Sequence, residues 1–552
     1  MKKLCVVLIV LSLLFSLGTG CFAAQAGGSC GSSTSWSFQN GVLTVSGSGG
    51  MGDFTPGTQP WAAFRDSITT VVVESGVDAI GRDAFCDLPR LSSVRLPDTL
   101  WSIDSGAFAS CPALTSIVLP EGLTDLGGYV FSHSGLTAVT IPASLKNLAF
   151  ASFSQCTALK SVSFAGVPRR ISGEAFAGCT ALTSIVIPEG VENLDFAFKN
   201  CTALTSITLP KSLKSVRSTF SGCTALKTVV LPEGLTQLNS TFSGCTALTN
   251  VNIPTTVTKL DGTFYGCTAL QNITIPDTVT AIGSNTFYQT GLAKAALPQG
   301  LTTISRASFS NCYSLTEITL PYGVTAVENN AFSSCYNLKT VTIPDTVKSI
   351  GDKAFFCRMS VKDVYYSGSE AQWKAITMGK DNESLLKATI HYNAPIAKPI
   401  PKTGTAFSST QTVLVDGKPV TLQAYALKDA KGNPTNYVKL RDVAWILNGS
   451  AAQFNVGWDG NVNILTGTAY APNGSEMSTP FSGNRSYTVP SAATNIDGRK
   501  ASLTAISLTD DRGGGYTYYQ LRDLGRALGF NVGWSAQQGI FIQTDRPYSD
   551  AD

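Results

Sequence analysis

Phenylalanine recurs at positions 85, 108, 131, 153, 176, 198, 220, 242, 264, 287, 309, 332 and 355, always 22 or 23 residues apart. A period of this length is the mark of a repeat architecture. Around it the register is dense. Leu114, Leu182, Leu204, Leu226, Leu248 and Leu270 each lie six residues after a Phe, an aliphatic pair such as Ile117 and Leu119 follows, and then proline. The unit reads F-x-x-C-x-x-L-x-x-I-x-L-P-x-x-L-x-x-I. Alternation before the proline predicts a short strand with Ile117 and Leu119 on one face. Pro120 cannot donate to a ladder and ends it. No single unit can bury its apolar edge, so stacked units must share one core. The expected fold is a solenoid of about 13 coils over 85–357, with short parallel strands and irregular or short helical returns. The interval from the last aliphatic to the next Phe is five residues in most coils, as from Ile103 to Phe108. It is four at Leu194–Phe198, Val216–Phe220, Leu238–Phe242 and Leu260–Phe264. Those returns should be tighter and less helical.

The pattern resembles the BspA-like subclass of bacterial leucine-rich repeats. The flanks carry the resemblance further. "GGSCGSSTSWSFQNGVLTVSGSGGMGDF", followed by Pro60 and Trp61, resembles a β-rich N-terminal cap over 27–84. "VYYSGSEAQWKAI…ATIHYN" resembles a closing segment over 358–393. The resemblance implies a secreted or cell-surface protein, in a Gram-positive-type setting, that binds other proteins or cells. It implies no catalysis.

Nine cysteines occupy the third position after Phe: 111, 156, 179, 201, 223, 245, 267, 312 and 335. Zinc sites need clustered pairs, and there are none. Stacked cysteines would sit within disulfide range by Cα spacing, but parallel Cβ vectors would hold the Cβ atoms too far apart. Ser134 and Thr290 fill the same slot, which suits a small, weakly polar side chain touching backbone. The nine are read as a reduced ladder. Cys30, Cys86 and Cys357 fall outside it on sequence, and a Cys30–Cys86 bridge across the cap stays open.

Residues flanking the central strand aliphatic should face the concave side. Most are Ser, Thr or small. The candidate ligand-binding residues are Arg95, Asn250, Asn252, Asn272, Lys294, Glu317, Asp363 and Tyr365. The expected site is broad and shallow, for a protein or glycan. The competing reading is that Ser and Thr simply suit an exposed strand.

The chain opens with Lys2 and Lys3, an apolar run from Leu4 to Leu17, and small residues at Ala24–Ala26. This reads as a signal peptide over 1–26. A lipoprotein alternative through Cys21 is disfavoured by Gly18 three residues before it. No later apolar run reaches 18 residues, so no span is expected in the mature chain. A net charge of +3 with 14% charged residues argues against a nucleic-acid partner.

A Pro/Ser/Thr-rich linker is read over 394–411. Its "IPKTG" looks like a sortase signal but lacks the apolar span and basic tail. Beyond it lies a duplication over 412–545. "VDGKPVTLQAYAL" matches "IDGRKASLTAISL" and "YVKLRDVAWIL" matches "YYQLRDLGRAL", both at an offset of 81; "FNVGW" recurs at Phe454 and Phe530, an offset of 76. Each half reads as hairpin, strand, short helix and two strands. The module resembles the copper amine oxidase N-terminal-like domain, which implies an accessory or attachment role, with cell wall as a partner. No copper follows: the only histidines, His133 and His391, lie outside it. Trp458 and Trp534 follow "FNVG" at fixed places and are read as core, with a sugar platform as the alternative. No cofactor or metal is implied. No H-E-x-x-H, G-x-S-x-G or P-loop occurs, so no enzyme is expected.

Overall fold

The computed structural model describes residues 26–548 apart from 172, 395–402, 429–433, 480–481, 491, 493, 502, 512 and 536. The signal segment, Cys21, and the part of the linker that opens "IPKTG" lie outside the described residues. The chain divides into two compact units, the first ending at Ala397 and the second beginning at Lys398.

The first unit is a solenoid. Its cap is an antiparallel meander of Ala26–Ser29, Thr34–Gln39 and Val42–Gly47. The third of these strands pairs in parallel with Thr70–Val73, which pairs with Ser93–Arg95. The cap thus supplies the edge on which coil stacking starts. Strands before the proline continue this row, although no strand forms around Ile117 and Leu119, where one was expected, or around Ile273; the row ends in the five-stranded sheet Lys294–Ala295, Glu317–Thr319, Thr340–Ile343, Asp363–Tyr366 and Thr389–His391. A second row lies after the proline, as at Ser102–Ile103 and Asp125–Leu126. The repeat pattern did not announce that row.

The returns are not helical in any coil: among the described residues between Thr70 and Ser369 there is no helix. A pair of left-handed residues replaces it. The residue two before each Phe has φ between 48° and 68°, and through Phe332 so does the residue two after, at 55–77°. Alternating left- and right-handed residues turns every second amide the same way. Asp83, Phe85 and Asp87 therefore donate to the carbonyls of Ser105, Ala107 and Ala109 at 3.0, 2.8 and 2.9 Å. Ser240, Phe242 and Gly244 repeat this onto Asp261, Thr263 and Tyr265. The turns make a third ladder, with N–H groups toward the C-terminus and carbonyls toward the N-terminus.

Inside this ladder the thirteen phenylalanines form one continuous column. Consecutive ring centroids are 5.1–6.4 Å apart. Trp61 stacks on Phe85 at 5.5 Å and heads the column. It also donates through Nε1 to the carbonyl of Ala84, while Gln59 and Arg65 donate to those of Asp83 and Asp87. Of the first coil's ladder carbonyls, that of Ala84 is thus met by Trp61, and that of Arg82 accepts the backbone amide of Phe54 at 3.0 Å. At the far end Asn382 Oδ1 accepts the amide of Phe355 at 2.9 Å, and its Nδ2 donates to Gly351 O. One buried asparagine therefore stands in for the coil that does not follow.

Each ladder thiol donates to the carbonyl of the Phe one coil earlier, at 3.0–3.2 Å. Cys357 does the same to Phe332 O at 3.1 Å and is fully buried. It is a tenth rung, not an outlier; a one-residue deletion after Phe355 hid its register, so that the third position after that Phe holds Arg358 instead. The twelve cysteines among the described residues are all free, Cys30 and Cys86 included.

The shortened coils solve a specific problem. In full-length coils the residue after the second-row strand donates to the previous coil, as Gly127 N does to Ile103 O and Glu328 N to Ile304 O. The shortened coils lack that residue. In three of the four, Thr219, Thr241 and Thr263, fully buried before their Phe, send Oγ1 to the carbonyls of Leu194, Val216 and Leu238; the fourth has Ala197 at that place.

The second unit is an eight-stranded sheet with a four-stranded sheet beside it. Residues 403–411, read as linker, form the first part of the strand Thr403–Val415, which pairs with Lys418–Lys428. From Phe407 to Thr412 half-buried and exposed positions alternate along a strand rich in Thr and Ser, so composition misled. The duplication becomes a local pseudo-dyad. Pro434–Lys439 and Gly515–Gln520 pair antiparallel, with Tyr437 opposite Gln520 and Lys439 opposite Tyr518. These are the same two positions exchanged between copies. Trp458 and Trp534 are not core: they are 63% and 61% exposed. They share the alternation of Phe454 and Phe530 but stand at the turn end of their hairpins, opposite Val462 and Ile540.

Candidate binding face

The parallel register decides which of the candidate residues meet. In the last sheet of the solenoid Lys294 lies beside Glu317, Glu317 beside Thr340, and Thr340 beside Asp363. The next row brings Tyr365 beside His391. Four of the eight candidates thus share one face, and His391 joins them. Lys294 Nζ meets Glu317 Oε1 at 2.7 Å, with both side chains exposed. His391 Nε2 lies 2.9 Å from Asp363 Oδ1, and its ring stacks on Tyr365 with centroids 4.6 Å apart and planes 13° apart. An aromatic pair, a cation and two carboxylates therefore sit on rigid strands in contact with solvent.

The other candidates are scattered. Arg95 is exposed on the sheet of the N-terminal cap, and Asn250 is exposed beside Thr228. Asn272 is exposed in a coil whose first row forms no strand. Asn252 is committed elsewhere: its Oδ1 accepts the amide of Leu231 at 2.7 Å and its Nδ2 donates to the same residue's carbonyl at 2.8 Å. Its side chain replaces ladder bonds to the preceding coil, which commits one N–H and one lone pair of the amide to backbone. Between these ends the face carries hydroxyls, broken by the exposed valines Val118, Val186 and Val230.

Sequence reasoning missed His391 because it follows Tyr365 by 26 residues, off the 22–23 period. Among the described residues no cluster of three or more His, Cys, Asp or Glu could hold a metal ion, and no helix is long and apolar enough to cross a membrane.

No curated protein matches the chain. Solved structures do. A leucine-rich repeat protein from Bacteroides ovatus is 23% identical, with a TM-score of 0.49 over 65% of this chain and 98% of that one. A leucine-rich cell surface protein from Faecalibacterium prausnitzii is 24% identical, with a TM-score of 0.39 over 63% and 96%. The pneumococcal vaccine antigen PcpA is 17% identical, with a TM-score of 0.45 over 68% and 100%. The BspA type leucine rich repeat region, in six copies, matches residues 78–195, 146–262 and 239–362, together more than half of the chain. With the coil register and the phenylalanine column this identifies the chain as a member of the BspA-type leucine-rich repeat family.

Proposed function

We propose that the protein is a secreted or cell-surface, non-enzymatic binding protein of adhesin type. An extracellular protein or glycan docks on the face that carries Lys294, Glu317, Asp363, Tyr365 and His391. Export rests on the leader, with cleavage after Ala26. The observation that carries the docking face is the Tyr365–His391 stack beside Asp363. It is an exposed aromatic anchor with polar groups around it, the composition of an interface hot spot. Family membership supports a binding role.

The test uses labelled full-length protein and intact bacterial and host cells. Replacing Tyr365 and His391 together with alanine should lower the bound fraction about tenfold, the loss expected for a hot spot, with an unchanged melting temperature. Equal binding by the variant, or no cell binding by the wild type, refutes the reading.

A second reading makes the solenoid a spacer and gives wall or polysaccharide binding to the C-terminal unit, which resembles a copper amine oxidase N-terminal-like domain. The two exposed tryptophans of that unit favour it.

A further inference from the structure

The duplication in the second unit builds one cleft twice. In the first, Gly457 and Trp458 line a cleft with Arg441 from the start of the adjacent helix and with Tyr516 and Thr517 from the other copy's strand. In the second, Gly533 and Trp534 line a cleft with Arg522 and with Thr435 and Asn436, again from the other copy. Every one of these residues has its counterpart at the duplication offsets: Arg441 with Arg522, Trp458 with Trp534, Thr435 with Tyr516, Asn436 with Thr517. The exchange of strands across the pseudo-dyad is what gives both clefts the same walls.

Three features say what would fit. Both indoles are more than half exposed, so core packing does not account for them. A large apolar surface left open inside a concave, otherwise polar site is a recognition feature. No Asp or Glu lines either cleft, while each carries an arginine. Arg441 is held by a bond from Nη1 to the Tyr470 hydroxyl at 3.2 Å. The remaining walls supply hydroxyls and amides, among them Ser475 and Ser507 in the first cleft and Gln411 and Gln520 in the second.

We propose that each cleft binds a segment of an acidic polysaccharide. A pyranose ring lies with its C–H face on Trp458 or Trp534, its hydroxyls meet the amide and hydroxyl walls, and a carboxylate or phosphate of the chain meets Arg441 or Arg522. A planar, rigid aromatic gives contact area at little entropic cost, and arginine matches the planar geometry of carboxylate and phosphate. Two sites in one unit raise the effective concentration of a polymer that reaches both. The inference rests on the second reading above and names its site and ligand class; it is independent of the solenoid face.

The experiment is affinity electrophoresis of the full chain in gels containing polygalacturonate, a glycosylated poly(glycerol phosphate), or neutral dextran. At least one acidic polymer should retard the protein and dextran should not; which acidic gel does so distinguishes carboxylate from phosphate. Trp458→Ala and Trp534→Ala should each weaken the retardation about tenfold, and the double variant should abolish it. Arg522→Gln should weaken it as well. All three substitutions are at the surface of the clefts, and matching melting curves exclude unfolding as the cause. The proposal is overturned if neither acidic polymer retards the protein, if dextran retards it equally, or if the double tryptophan variant migrates as the wild type does. Loss of cell binding by the Tyr365 and His391 variant would leave this result untouched, so the two ideas fail separately.

Discussion

Thr241 shows how much a single hydroxyl can decide in a repeat. Its coil is one residue short, and the missing residue would have supplied an amide to Val216 O. Thr241 Oγ1 supplies the hydrogen bond at 3.1 Å, from a fully buried position. Valine has nearly the same shape and no donor. Thr241→Val should cost about 1–3 kcal/mol, the penalty for an unsatisfied buried carbonyl, whereas Thr241→Ser should keep most of the stability. Urea unfolding of the two variants separates the hydroxyl from the methyl. The thiols make a second, pH-dependent case. Burial pushes most of them up, to about 12 at Cys111, Cys223, Cys267 and Cys357 and to about 11 at Cys156, from an ordinary value of 9.0. Below pH 9 both folded and unfolded chains keep these protons, so the thiols contribute no pH dependence. Between 9 and about 12 the unfolded chain releases them and the folded chain does not, so stability falls as pH rises through that window. Denaturation midpoints measured from pH 8 to 11 should decline, and a Cys223→Ser variant should decline less steeply. A flat profile would mean that the ladder thiols are not protonated and buried as described.

At the scale of the element, the strands, turns and caps differ in how openly the chain announced them. The 22–23 period and the proline stop made the first-row strands readable, because apolar alternation is what a buried strand face requires. The turn ladder was hidden. Its left-handed positions hold glycine at Gly222, Gly244 and Gly266, but also Ala151, Phe196 and Ala307, which carry no turn signal. Stacking holds those residues in a conformation they disfavour alone. His391 was invisible for a related reason: only the register between adjacent strands brings it to Tyr365. The tryptophans of the duplicated unit were misjudged because a fixed place in a motif says nothing about whether a strand end is covered. The candidate face was therefore half legible: Lys294, Glu317, Asp363 and Tyr365 came together, while Asn252 turned onto backbone. The closing element gives a test of its own. Asn382 is almost fully buried and satisfies the last ladder amide. Asn382→Leu should destabilise the C-terminal coils by about 1–3 kcal/mol. Hydrogen exchange should then speed up at Phe355 and its neighbours and leave Phe85 to Phe131 unchanged, since contacts in a solenoid are between neighbours.

Across the whole first unit, stability should behave as a sum over coils and their interfaces, and the shortened coils allow a clean trial of that idea. Residues 242–263 are one complete 22-residue repeat. Deleting them joins Thr241 to Phe264 and recreates the Thr-Phe junction that the deletion removes. Phe264 then stacks on Phe220, Cys267 meets the carbonyl of Phe220, and Gly283 donates to Leu238 in place of Leu260. Every lost partner has an equivalent one coil earlier, and Trp61 and Asn382 still cap the ends. The shortened protein should fold, unfold in one cooperative thermal transition, and keep its cysteines unreactive in the native state. Deleting only 242–252 removes half a repeat and joins Thr241 to Ile253. That puts an aliphatic residue where the phenylalanine column needs a ring and throws the thiol, proline and strand positions out of step with both neighbours. This second protein should lose its cooperative transition and bind a hydrophobic dye. The contrast matters more than either result: a core organised as separate clusters would tolerate the smaller deletion better, whereas a single column built from interchangeable coils must tolerate the larger one.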